Sequence, residues 1–184
     1  EYEVQSAGTV ASINKVFGVG GGGLMTIGQI AEVGVLFLIP FVAAKVSRKT
    51  LLAVGLSAYA IRMFLFAHID WLHQAVGLPE MFTLVFGIAL HGLCFGCFIF
   101  VAFMIVDEEC SADVKASAQN LFNLVIVGVG IVLGSLVAGY IGDYATNEQG
   151  AINFKTLFSV PMWAAIGCLF LLLAFYPGGK RHPA

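Results

Sequence analysis

The sequence predicts an all-α fold: a polytopic transmembrane helix bundle of five spans. Three observations carry that prediction. Of its 184 residues, 59% are hydrophobic and 11% charged, against roughly 45–50% and 25% in soluble domains. Such a chain cannot cover itself with polar surface. The apolar residues fall in long unbroken runs, near 24–43, 51–68, 81–106, 117–141 and 156–176, each within or beyond the roughly 17–25 residues that cross a bilayer as a helix. None of the runs shows the ten-residue alternation of membrane β-strands.

The chain opens on EYEVQSAGTVASINK, polar and small, with no basic stretch feeding an apolar one as in a signal peptide. Residues 1–23 are read as an extracytoplasmic loop. Their GVGGGG (18–23) is a flexible lead into the first span, because no strand–helix unit or P-loop lysine accompanies it. The first span, 24–43, contains GQIAEVGVLFLIP, with the carboxylate Glu32 inside an apolar run and Pro40 bending its far end. VSRKT separates it from the second span, which carries Arg62. HIDWLHQAVGLPE follows, then a third span long enough to tilt. DEECSADVK leads into the fourth span and GDYATNEQGAINFK into the fifth. Residues 24–176 thus form the bundle, and 177–184 a cytoplasmic tail.

Basic residues orient the bundle. If five spans alternate, Lys45, Arg48, Lys49, Lys115, Lys180 and Arg181 share one face and Lys15 and Lys155 the other. The richer face is read as cytoplasmic, in the cell (inner) membrane, with Trp71 near the outer interface. An odd span number starting outside, and a first residue that is Glu1 rather than Met, predict a piece of a longer protein. One further span before residue 1 would make six, the shape of one half of a twelve-span transporter.

Polar residues at bilayer depth are costly and face a cavity or a partner. Gln29 lies three residues before Glu32 and shares its helix face; Thr26 falls on nearly the same stripe. A carboxylate, an amide and a hydroxyl on one wall suit a polyhydroxylated solute, and a desolvated carboxylate can carry a proton. The alternative for Glu32 is an interhelical hydrogen bond. Arg62 either snorkels outward or pairs with Glu32, whose depth matches if the two spans are antiparallel neighbours. His91, in HGLCFGCF, is a possible cavity residue able to shuttle protons, or a packing residue. Asn120 and Asn123 share a face near the cytoplasmic end of the fourth span and are further cavity candidates. Gly130 and Gly134 form G-x-x-x-G, read as a helix-packing face.

Other chemistries find little support. Cys94 and Cys97 form C-x-x-C, but inside LCFGCFIFV, where no further ligands lie nearby, so they are read as structural. No metal, cofactor or catalytic residue is expected, and no hydrolase motif occurs. A net charge of −2 without a basic stripe gives no nucleic-acid surface.

LMTIGQIAEVGVLFLIPF, GLSAYAIRMFLFA, LHGLCFG and KASAQNLFNLVIVGVGIVLGSLVAGYIGD resemble the C-terminal half of a major facilitator superfamily transporter, specifically of the nucleoside:proton symporter family. The resemblance covers most of residues 24–143; the last span matches by hydropathy alone. Its most specific parts are Q-x-x-E on the first span and A-x-x-x-R-x-x-L-F-A on the second. It implies that the spans are helices eight to twelve of twelve. It also implies that Gln29 and Glu32 contact a nucleoside ribose and that Phe95 lies near the base. The family carries an aspartate where this chain has Gly96, so a candidate proton or hydroxyl partner is missing. Helix seven and the N-terminal half, which complete the site, are not in the sequence.

Two functions are expected. The first is a secondary active transporter, present as a fragment, moving nucleosides or similar small polar solutes by proton symport with alternating access. Its partners would be the solute, a proton, the lipid bilayer and the missing N-terminal half. The second is a small structural or assembly membrane protein whose polar residues bind other helices. The length of the parent gene discriminates between them.

Overall fold

The computed structural model describes residues 22–177. The expectations for residues 1–21 and 178–184, including most of GVGGGG, the tail, Lys15, Lys180 and Arg181, lie outside them. Five described helices are long and apolar enough to cross a membrane. We label the helices α1 (Gly22–Ala43), α2 (Arg48–Ala67), α3 (Ile69–Val76), α4 (Glu80–Glu109), α5 (Lys115–Ala145) and α6 (Phe154–Phe175). The spanning helices α2, α4, α5 and α6 run a few residues beyond the apolar runs, because polar caps and terminal charges extend them into the interfaces. The break HIDWLHQAVGLPE is largely helical as α3. It ends at Gly77, whose φ of 74° is a left-handed conformation that glycine adopts without strain.

Caps set several starts. Ser47 accepts a hydrogen bond from the Thr50 N–H at the start of α2, and Asn153 does the same for Thr156 at the start of α6. Both satisfy amides that a helix N-terminus leaves unpaired. Between α4 and α5, the Ser111 hydroxyl donates to Asp113 at 2.5 Å and holds that carboxyl below its ordinary range.

The packing order follows from where glycines allow close approach. Helix α4 lies against both α1 and α2, and α6 runs along α2. At Gly92 a Cβ would fall 2.5 Å from the Ala31 carbonyl and 2.6 Å from the Glu32 nitrogen; at Gly96 it would meet Val35 at 2.6 Å. On α2, a Cβ at Gly55 would lie 2.9 Å from Phe98. Gly92 and Gly96 form a second G-x-x-x-G, and this one is the buried seam between α4 and α1. The core gathers around Ile39, Leu51, Leu52, Cys97 and a fully buried Val101.

The expected packing face at Gly130 and Gly134 turns out differently. A Cβ at Gly134 or Gly139 would meet nothing within 4 Å. Helix α5 touches mainly the end of α4 and α6, so its small-residue face has no partner among the described residues.

Helix ends that should share the cytoplasmic face are tied together. Arg48 makes a two-point pair with Glu108, its Nε donating to Oε2 at 3.2 Å and its Nη2 to Oε1, and it also donates to the Ala43 carbonyl. Lys49 donates to the Leu173 and Tyr176 carbonyls at the end of α6. Lys115 and Gln119 of α5 both donate to Asp107 of α4.

Candidate functional site

Glu32 stands seven residues after Met25, where the first span begins, about 10 Å into the helix at 1.5 Å per residue. The α1–α4 glycine seam crosses there, so Glu32 meets α4 rather than lipid. Its side chain is 22% exposed, and Oε2 lies 3.6 Å from His91 Nε2. The other ring nitrogen, Nδ1, is 3.1 Å from Arg62 Nη1. Arg62 belongs to α2, so three helices each contribute one member of a line: guanidinium, imidazole, carboxylate.

Neighbours hold Arg62 in place. Its guanidinium sits 5.5 Å from the centre of the Phe66 ring, close enough for cation–π attraction. The Phe66 ring in turn occupies the space a side chain at Gly87 would need, 2.5 Å from its would-be Cβ. Arg62 neither snorkels free nor reaches Glu32 directly: His91 stands between them.

The remaining candidates are distributed unevenly. Phe95 follows His91 by one turn, with ring centres 6.3 Å apart, and is partly exposed. It begins a π-helical turn, Phe95–Phe100; such turns recur at functional sites because they re-aim side chains. Gln29 is exposed on α1 and Thr26 half-buried. Asn120 and Asn123 are exposed on α5 beside Gln119, which bonds Asp107. Asp107 lies sixteen residues along α4 from His91, about 24 Å of helix, so both asparagines belong to the other end of the bundle. Gly96 is buried against Val35, so its position serves the helix seam.

A cavity of about 1090 Å³ opens at the α3 end of the bundle, lined by Met25, Arg62, His68, Asp70, Trp71 and Lys155 among others. The polar line meets it through Arg62 alone. Cys94 and Cys97 are buried free thiols, and no cluster of metal-ligating side chains occurs among the described residues. Sequence reasoning had Arg62 either snorkelling or paired with Glu32 directly, and did not place His91 between them. The signal was present in their matched depth on adjacent spans, together with the small residues Gly28, Gly87 and Gly92 around them.

Comparison with known proteins agrees with this architecture. The chain is 29% identical over 159 residues to the xanthosine permease of Escherichia coli K12, covering 86% of this chain and 36% of that protein. It is 26% identical over 156 residues to the nucleoside permease NupG of the same organism, covering 83% and 35%. A crystal structure of nucleoside transporter NupG superposes with a TM-score of 0.74 at 26% identity, covering 84% of this chain and 36% of that one. The chain therefore spans about a third of the length of the curated relatives it matches. It is a multi-pass inner-membrane protein whose relatives are transporters rather than enzymes. The family model described as nucleoside H+ symporter matches residues 2–180, and the chain belongs to that family.

Proposed function

We propose that these five spans are helices eight to twelve, the C-terminal half, of a secondary active transporter that moves nucleosides or similar small polar solutes together with protons. The observation that carries this reading is Glu32, a carboxylate at bilayer depth that faces a histidine of α4, which in turn meets an arginine of α2. Charges in that position are costly and mark solute or proton paths. The family membership and the printed names of the relatives, permeases of xanthosine and of nucleosides, supply the solute class.

In this reading Glu32 and Gln29 bind ribose hydroxyls, since a carboxylate accepts and an amide both donates and accepts. Phe95, partly exposed one turn beyond His91, offers a ring face to the base. Thr26 and His91 border the same region, and Asn120 and Asn123 would line the solute path at the opposite end of the bundle, beside Gln119 and Asp107. The opposing wall belongs to helix seven and an N-terminal half. The exposed small-residue face of α5 is where a neighbouring helix can come close. Alternating access then rocks the two halves around the site. Proton uptake at Glu32 converts an acceptor into a donor, coupling the proton to the solute's hydroxyls.

Glu32→Gln in the full-length protein tests the reading. It keeps size and one acceptor but removes charge, so affinity should fall by about 1.5–3 kcal/mol, roughly ten- to a hundredfold or a little more. Proton-driven uptake should be lost while solute exchange persists. Unchanged affinity and unchanged pH dependence, at normal expression, would reduce Glu32 to a packing residue.

A further inference from the structure

The line Arg62–His91–Glu32 has a chemical direction. A guanidinium can only donate hydrogen bonds. The 3.1 Å contact between Arg62 Nη1 and His91 Nδ1 therefore requires an unprotonated Nδ1. The ring's one proton must then sit on Nε2, the nitrogen 3.6 Å from the Glu32 carboxylate. A cationic His91 would turn an N–H toward the guanidinium and break the contact.

We propose that Arg62 and His91 are positioning residues for Glu32: Arg62 locks His91 in the neutral tautomer whose Nε2–H faces the carboxylate, leaving Glu32 as the group of the three that takes up a transported proton. This rests on the transport reading above and deepens it. The proton adds to a Glu32 oxygen, giving the neutral acid, and leaves from the same oxygen on the other side of the membrane; no other bond changes. Gly96 adds no second carboxylate at this level, so proton and solute hydroxyls meet on one group.

The surroundings support a held arginine. Phe66 lies beneath the guanidinium and is itself seated against Gly87. Arg62 Nε is buried without a partner among the described residues, so the head group is oriented by its Nη1 contact rather than by its own full hydrogen bonding. The charges acting on His91 come from Arg62 on α2 and Glu32 on α1. On α4 itself the next titratable group is the Cys94 thiol, which feels Arg62. From α6, Lys155 shares the cavity lining with Arg62.

The test uses full-length protein in proteoliposomes and compares the pH profiles of proton-driven uptake for wild type, Arg62→Gln, Arg62→Lys and the double variant Arg62→Gln with His91→Gln. Arg62→Gln frees Nδ1, so its profile should gain an ionisation near the histidine range, about pH 6.5. The double variant should lose that ionisation. Arg62→Lys, whose ammonium also only donates, should keep the wild-type shape. A folded Arg62→Gln protein with the wild-type profile overturns the proposal. Imidazole-nitrogen NMR of the wild type reads the tautomer without any variant. His91 should show an unprotonated Nδ1 and a protonated Nε2 throughout about pH 5 to 8. A protonated Nδ1 anywhere in that range overturns the proposal too. Failure of the transport reading is separate: it shows as unchanged solute affinity in Glu32→Gln, whatever the NMR gives.

Discussion

Replacing Gly92 with alanine places one methyl group where α4 touches the backbone of α1. The new Cβ would lie 2.5 Å from the carbonyl carbon and oxygen of Ala31 and 2.6 Å from the nitrogen of Glu32. Carbon contacts settle at about 3.5–4.0 Å, so the two helices must part by about 1 Å. The obstructing atoms are backbone within a hydrogen-bonded helix and cannot rotate aside. Overpacking of this kind costs about 1–3 kcal/mol. The separation falls at Glu32 itself and next to His91, so a gap now 3.6 Å should widen by a comparable distance. Gly34→Ala is the control: it lies on α1, the helix that Gly92 packs against, and its Cβ would meet nothing within 4 Å. There, the ordinary helical preference for alanine should stabilise by about 0.5–1 kcal/mol. Thermal denaturation of the purified full-length transporter in detergent should therefore move down for Gly92→Ala and slightly up for Gly34→Ala. If Gly92→Ala melted at or above wild type, the close α1–α4 crossing would be wrong, and with it the geometry of the polar line.

Gly96→Asp, which installs the aspartate expected from the family resemblance, should lower thermal stability, because Val35 lies 2.6 Å from the would-be Cβ; adding Val35→Ala should recover part of the loss in the same melt. Arg48→Lys replaces a two-point guanidinium pair with Glu108 by a single point charge. With side chains 25% and 30% exposed, the loss should be only about 0.2–1 kcal/mol, read by chemical denaturation and diminished at high salt. In a cysteine-free background, Ala75→Cys should react with an impermeant thiol reagent added outside intact cells and Lys45→Cys should not; the reverse pattern would invert the assigned orientation.

The spans were legible in the sequence because hydropathy is a property of a run and needs no tertiary information. Their ends shifted by a few residues, since caps such as Ser47 and Asn153 act through backbone amides that hydropathy ignores. Glu32 was legible for the same reason: a charge in an apolar run declares itself. The role of its neighbours was not. Arg62 and His91 lie 29 residues apart and meet only because glycines 55, 87, 92 and 96 set the spacing of three helices. A glycine's value depends on what stands opposite, which is why Gly92 and Gly96 proved to be a packing seam while Gly134 faces open space and Gly130 meets only its own helix. Asn120 and Asn123 were placed by the sequence at the end of the fourth span away from Glu32, and their distance from His91 along α4 and α5 agrees with that placement.

The partnership of α2 with α6 also dictates a schedule for biogenesis. Lys49 closes onto carbonyls 124 and 127 residues later, whereas Arg62 finds His91 after 29. At roughly 5–20 residues synthesised per second, the arginine waits about 1.5–6 s for its histidine, but the lysine waits about 6–25 s for the last helix. During that interval α2 resides in the bilayer with Arg62, its charge within the span, already met and its α6 face still in lipid. The order suits an insertion pathway: the charged group, costly to leave alone in hydrocarbon, is matched early. The apolar face, for which lipid is an adequate stand-in, is matched last.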